Sequence, residues 1–117
     1  MSVELSLFAE QYISSALADV HNSEEWTRDT PPTLDDLSDL TKARMLNDCA
    51  SFRYAAASLF EGRESDAGHD FWMTRNGHGA GFWDGDWSDP AATILDVASR
   101  ACGEFALYVG DDGRIHN

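Results

Sequence analysis

The chain has 117 residues, with 21 acidic against 8 basic side chains and a formal net charge of −13. At 43% hydrophobic and 11% aromatic it is too apolar for intrinsic disorder despite that charge. No apolar run reaches bilayer length, no period of twenty-odd residues recurs and no basic, apolar leader opens the sequence, so a single cytoplasmic domain over residues 1–117 is expected.

The acidity is spread along the whole chain: 11 acids and 4 bases precede Gly62, and 10 acids and 4 bases follow from there on. Lys42 is the single lysine. Such a field repels nucleic acid and anionic lipid and attracts basic protein surfaces. Two explanations compete: solubility, and imitation of a phosphate backbone in another protein's nucleic-acid-binding groove. Cys49 and Cys102 lack any CxxC spacing and are too few for a zinc site, so they are expected as reduced core thiols.

Residues 3–20 read as an amphipathic helix, with Ser2 at its N-cap. Leu5, Phe8, Ala9, Tyr12, Ile13, Ala16 and Val20 share one face, and Asp19 intrudes toward it. His21–Pro32 reads as a loop anchored by Trp26. An acidic lead containing Asp35 and Asp36 precedes a second helix. Ser38 is its expected N-cap, Asp39 lies in its first turn and Gly62 stops it after about Phe60. Its core stripe is Met45, Leu46, Cys49, Phe52, Ala56 and Phe60.

Gly68–Asp84 is the most distinctive stretch. Asn76-Gly77 signals a type I′ hairpin turn, and Phe71, Trp72, Phe82 and Trp83 favour strand. With a two-residue loop His69 faces Asp84, Arg75 lies near the turn beside the aromatics, and Trp72 and Trp83 share the other face. A hydrogen bond from His69 to Asp84 or Asp86 is therefore predicted. Ser88-Asp89-Pro90 starts a third helix whose buried side is predicted to be Ile94, Leu95, Val97, Ala98, Ala101 and Cys102. Phe105–Val109 reads as a strand, Gly110–Gly113 as a turn carrying Asp111 and Asp112, and Arg114–Asn117 as a short last strand. The order ααββαβ gives an α+β domain with helices packed on a small antiparallel sheet.

The HDFWMTRNGHGAGFWD run of residues 69–84, the Asp48–Phe52 segment and Leu107–Gly113 resemble a family of small acidic phage and prophage proteins, mostly uncharacterised. The resemblance covers the C-terminal two-thirds of the chain and implies a mobile-element origin and a host bacterial cytoplasm. It carries over no catalytic residue. The hairpin register puts His69 and His78 about 20 Å apart, too far to share a metal. Gly77, Gly79 and Gly81 do not form a GxGxxG fingerprint. No catalytic residue, metal or cofactor is expected.

The expected sites are therefore contact residues. Asp35, Asp36, Asp39, Asp84, Asp86, Asp111 and Asp112 are candidates for an acidic stripe, and Trp72 and Trp83 for an aromatic patch. The corresponding function is inhibition or modulation of a basic, nucleic-acid-binding host protein by an anti-defence mimic of the anti-CRISPR or anti-restriction type. The alternative is a phage accessory or assembly protein that binds through the aromatic hairpin.

Overall fold

A computed structural model describes residues 5–117. Four helices dominate: α1 Leu7–His21, α2 Asp39–Ala56, α3 Glu64–Arg75 and α4 Ala91–Ala101. Two short strands, β1 Tyr108–Val109 and β2 Ile115–His116, pair antiparallel. None of the described helices is long and apolar enough to cross a membrane.

Helix α1 starts at Ser6, whose hydroxyl accepts from the Ala9 amide. The Ser2 cap lies outside the described residues. Helix α2 begins as its sequence requires, with Ser38 Oγ accepting from the Thr41 amide. It tightens into a 3₁₀ turn at Ala57–Leu59 before Gly62 turns the chain. Phe8 of α1 stacks near Phe52 of α2 and Phe60 just beyond the 3₁₀ turn, Phe52 lies 4.2 Å from Phe71 of α3, and Asp48 meets Arg75. These contacts place α2 antiparallel to both α1 and α3. One continuous core joins residues from Phe8 to Ile115.

The predicted hairpin is replaced by α3 and an irregular loop, so the order ααββαβ gives way to four helices followed by the strand pair. Asn76-Gly77 explains the error. A type I′ turn needs positive φ at both residues, yet Gly77 is at +71° and Asn76 at −100°. Here the glycine closes a helix. The Gly77 amide donates to Thr74 O and the His78 amide to Met73 O, the paired bonds of a Schellman cap. Ala67, Phe71 and Thr74 fall at helical spacing and are buried, which overrides the strand preference of the aromatics.

Gly68 allows α1 and α3 to touch at the backbone. A Cβ built there would collide with the Phe8 carbonyl oxygen. Beyond the cap, residues 78–90 fold back over α3. The Phe82 amide donates to Thr74 Oγ1 at 3.1 Å, and Trp87 Nε1 donates to Asp70 Oδ2 at 2.6 Å. Both aromatic rings are buried and meet edge to face.

Helix α4 also departs from expectation. Leu95 and Ser99 are buried, while Ile94, Val97, Ala101 and Cys102 of the predicted core face are exposed. Leu95 and Ser99 lie on a flank of that apolar arc, and the helix rests on α3 and α2 through this flank, with Ala91, Ala92 and Ala98 partly buried beside it. Cys102 is therefore a surface thiol, and Cys49 alone is a core one; both are free. Phe105 is buried but outside the strand, which shortens to Tyr108–Val109.

Candidate interaction surfaces

The seven candidate aspartates separate into two groups. Asp35 and Asp36 lie in a 3₁₀ turn before α2, and Asp39 in its first turn. Asp111 and Asp112 occupy the β1–β2 turn. The two segments meet, because Leu37 bridges Ile115 and the Ser38 amide donates to Ile115 O. Arg28 ties them together: it pairs with Asp36 at 3.3 Å, donates to Gly113 O at 2.7 Å and lies 4.0 Å above the buried Trp26 ring. Asp84 and Asp86 sit at the other end of the bundle. Arg63, just before α3, donates to Asp86 O, whereas Arg75 at the far end of α3 meets α2 at Asp48. The length of α3 alone, about 18 Å, separates those levels. One stripe does not contain all seven.

Three of the seven accept from neighbouring backbone amides, Asp84 from those of Gly81 and Asp86. Asp36 completes a capping box with Thr33, whose amide donation holds the carboxyl below its usual range. Asp112 accepts from the Arg114 amide and lies 3.0 Å from His116, and both contacts lower its pKa. Asp35, Asp39, Asp84, Asp86 and Asp111 are exposed, and none takes part in an ion pair among the described residues.

The tryptophans also divide. Trp72 is 3% exposed and donates its indole N–H to Asp19 at 2.7 Å, so it is a core residue and no contact patch. Trp83 is 51% exposed. With no hairpin, His69 bonds to neither Asp84 nor Asp86; its Nδ1 lies 2.7 Å from Ser15 Oγ of α1. That hydroxyl is buried within a helix and offers no open nucleophile.

Two hollows bear on the candidate residues. A cleft of about 220 Å³ is lined by Asp19, Glu25, Glu104, His78, Phe105 and Tyr108, among others. In it Asp19, which the sequence marked only as an irregularity, holds both Trp72 and His78, the latter at 2.9 Å. A polar hollow of about 330 Å³ gathers Arg63, Asp66, His69, Asp70 and Asp86. Burial raises the Asp70 carboxyl's pKa, Trp87 partly offsets this, and nearby Asp84 adds to it. Among the described residues no group of three His, Cys, Asp or Glu side chains is placed to hold a metal ion.

The buried Arg75 is the main polar element that sequence reading missed. Its guanidinium donates to Tyr12 Oη, Asp48 and the carbonyls of Cys102 and Gly103. It therefore ties α1, α2 and the end of α4 to α3. It also lies 5.2 Å from the Phe71 and Phe105 rings, the aromatic neighbourhood its sequence position suggested. Desolvation raises the Tyr12 hydroxyl pKa and pushes the Cys49 thiol up to about 12, so neither is poised for chemistry near neutrality.

No family model matches the chain, and neither the curated proteins nor the solved structures contain a significant match.

Proposed function

We propose that this chain is an acidic binding protein that occupies a basic surface on another protein and so inhibits or modulates it. The use of its charges carries this reading. Arg28, Arg63, Arg75 and Arg100 are taken up by carboxylates of the same chain, while Asp35, Asp39, Asp84, Asp86 and Asp111 face solvent with no cationic partner among the described residues. The uncompensated field attracts basic partners and speeds their encounter.

A nucleic-acid-binding protein of a bacterial host is the partner class this charge favours, in keeping with the resemblance to phage proteins. Because the exposed acids lie at two ends, mimicry of a phosphate backbone would use one end at a time. The second reading, an accessory or assembly protein binding through aromatics, draws support from Trp83 and from no other tryptophan.

The test is capture from bacterial lysate by the tagged chain, repeated at rising salt and with two charge reversals, Asp35→Lys with Asp39→Lys at one end and Asp84→Lys at the other. Exposed charges are screened over about 8 Å at physiological ionic strength. The captured basic protein is expected to be released by several-fold higher salt, displaced by DNA or RNA, and held less well by at least one variant. Capture indifferent to salt and to both reversals would refute the proposal.

A further inference from the structure

Helix α4 carries an apolar stripe that the fold leaves open. Ile94, Val97 and Ala101, at i, i+3 and i+7, share its outer face, and Ile94 and Val97 are 48% and 61% exposed. Trp83 extends the stripe. It borders a depression with Ala92, Thr93 and Asp96, and Thr93 lies one turn from Val97. The loop that presents Trp83 is fixed from below by Phe82 and Trp87, so the indole stands on a rigid base.

The rim of this surface is acidic. Asp89 and Asp96 line the depression beside Trp83, the exposed Asp84 follows Trp83 in its loop, and Asp96 binds Arg100, the basic residue of the same helix. A second copy of this chain fits poorly, because a two-fold contact through this face would set the same carboxylates against each other. A phosphate backbone is repelled for the same reason. An apolar centre ringed by negative charge complements a helix with an apolar stripe flanked by Lys or Arg.

We infer that the α4–Trp83 face is the docking surface for a basic amphipathic helix of the partner protein. The inference rests on the basic-partner reading and gives it a location. Eleven residues of α4 span about 16 Å, which matches about three turns of an incoming helix. Such a helix anchors at i, i+3, i+4 and i+7 on the stripe, and its flanking cations meet the aspartates. The exposed aromatic provides the large, rigid contact that helix-in-groove complexes use as an anchor.

The experiment titrates the full chain with a synthetic leucine–lysine amphipathic helix and with its leucine–glutamate counterpart of identical apolar face. It is followed by calorimetry and by NMR shifts of the Trp83 indole and of α4. The lysine peptide is expected to bind at physiological salt, with shifts centred on Trp83, Ile94 and Val97, and the glutamate peptide is not. Ile94→Ser with Val97→Ser should weaken binding at least tenfold, and Trp83→Ala should do so independently. Circular dichroism should be unchanged in both variants, and Asp111→Lys should leave affinity within twofold. Lysine-peptide binding that survives both α4 and Trp83 variants, or falls with Asp111→Lys instead, overturns this location while the basic-partner reading stands. Equal binding of both peptides removes the charge argument and overturns that reading too. Sedimentation showing a dimer that Val97→Ser dissolves would assign the face to a second copy and overturn the inference.

Discussion

Helices α3 and α4 are nearly equal in length, twelve and eleven residues, yet α3 buries seven residues and α4 two. By pattern alone the ranking should be reversed. Helix α4 has a clean apolar stripe, whereas α3 carries a glycine, an arginine and two aspartates among its aromatics. What decides burial is the set of partners each helix meets. Helix α3 packs along α1, meets α2 through Phe52 and Asp48 and is covered by α4 and the Phe82–Trp87 loop, and even its polar residues are satisfied there: Arg75 by four acceptors, Asp70 by Trp87 and Thr74 by the Phe82 amide. Helix α4 meets the core only through Leu95 and its neighbours, and its apolar arc points away. A strong apolar pattern therefore marks a face that needs covering, and nothing in the pattern says that the same chain covers it.

Breaking the α3 side should produce the largest effect. Arg75→Met removes a buried cation and leaves Asp48, Tyr12 Oη and two carbonyls without their donor. A loss on the order of 3–5 kcal/mol is expected in urea unfolding. If this variant unfolded at the parent's denaturant midpoint, the guanidinium would not be holding the bundle together.

Asp70 offers a smaller and pH-dependent contrast. Asp70→Leu strands the Trp87 indole N–H and should cost about 1–3 kcal/mol. Asp70→Asn keeps an acceptor and loses the charge. Burial raises the folded-state pKa of Asp70 above its unfolded value, so ionisation opposes folding. That opposition is absent below the unfolded value of about 3.9 and grows as pH rises through the folded value. Thermal melts should therefore show Asp70→Asn gaining on the parent as pH rises above 4, and a constant difference across pH would contradict the burial argument.

The comparison sharpens within α4, where the smallest effect belongs to the outer face. Leu95→Ala should cost about 2–5 kcal/mol, as for a filled core position. Val97→Ser, two residues on, should stay within about 0.5 kcal/mol, as for a surface position. Chemical denaturation of the pair measures the asymmetry of the helix directly.

Helices with ordinary caps and one-sided stripes were legible from sequence. Ser38 and Asp39 at the start of α2, the Met45–Phe60 stripe and Trp26 as a loop anchor all stand where local rules put them. The turn and short final strand around Asp111 and Asp112 were legible too. The hairpin failed because Asn-Gly serves helix ends as well as tight turns, and because a helix buried on several sides loses the polar face that identifies a helix. Of the acidic candidates all but the half-buried Asp36 are exposed, and Asp36, Asp84 and Asp112 are occupied by neighbouring backbone amides. The Asp19–Trp72–His78 and Arg75 networks join residues 27 to 63 positions apart and leave no local pattern.

The contact at Gly68 bears on how this sequence can drift. An added methyl there meets a main-chain carbonyl, an atom that every residue at position 8 supplies. No smaller neighbour can be substituted to make room, so the position has no compensating partner. In any set of relatives that keeps the α1–α3 crossing, Gly68 should be fixed and show no covariation, while Phe8 remains free to vary in size alongside Phe52 and Phe60.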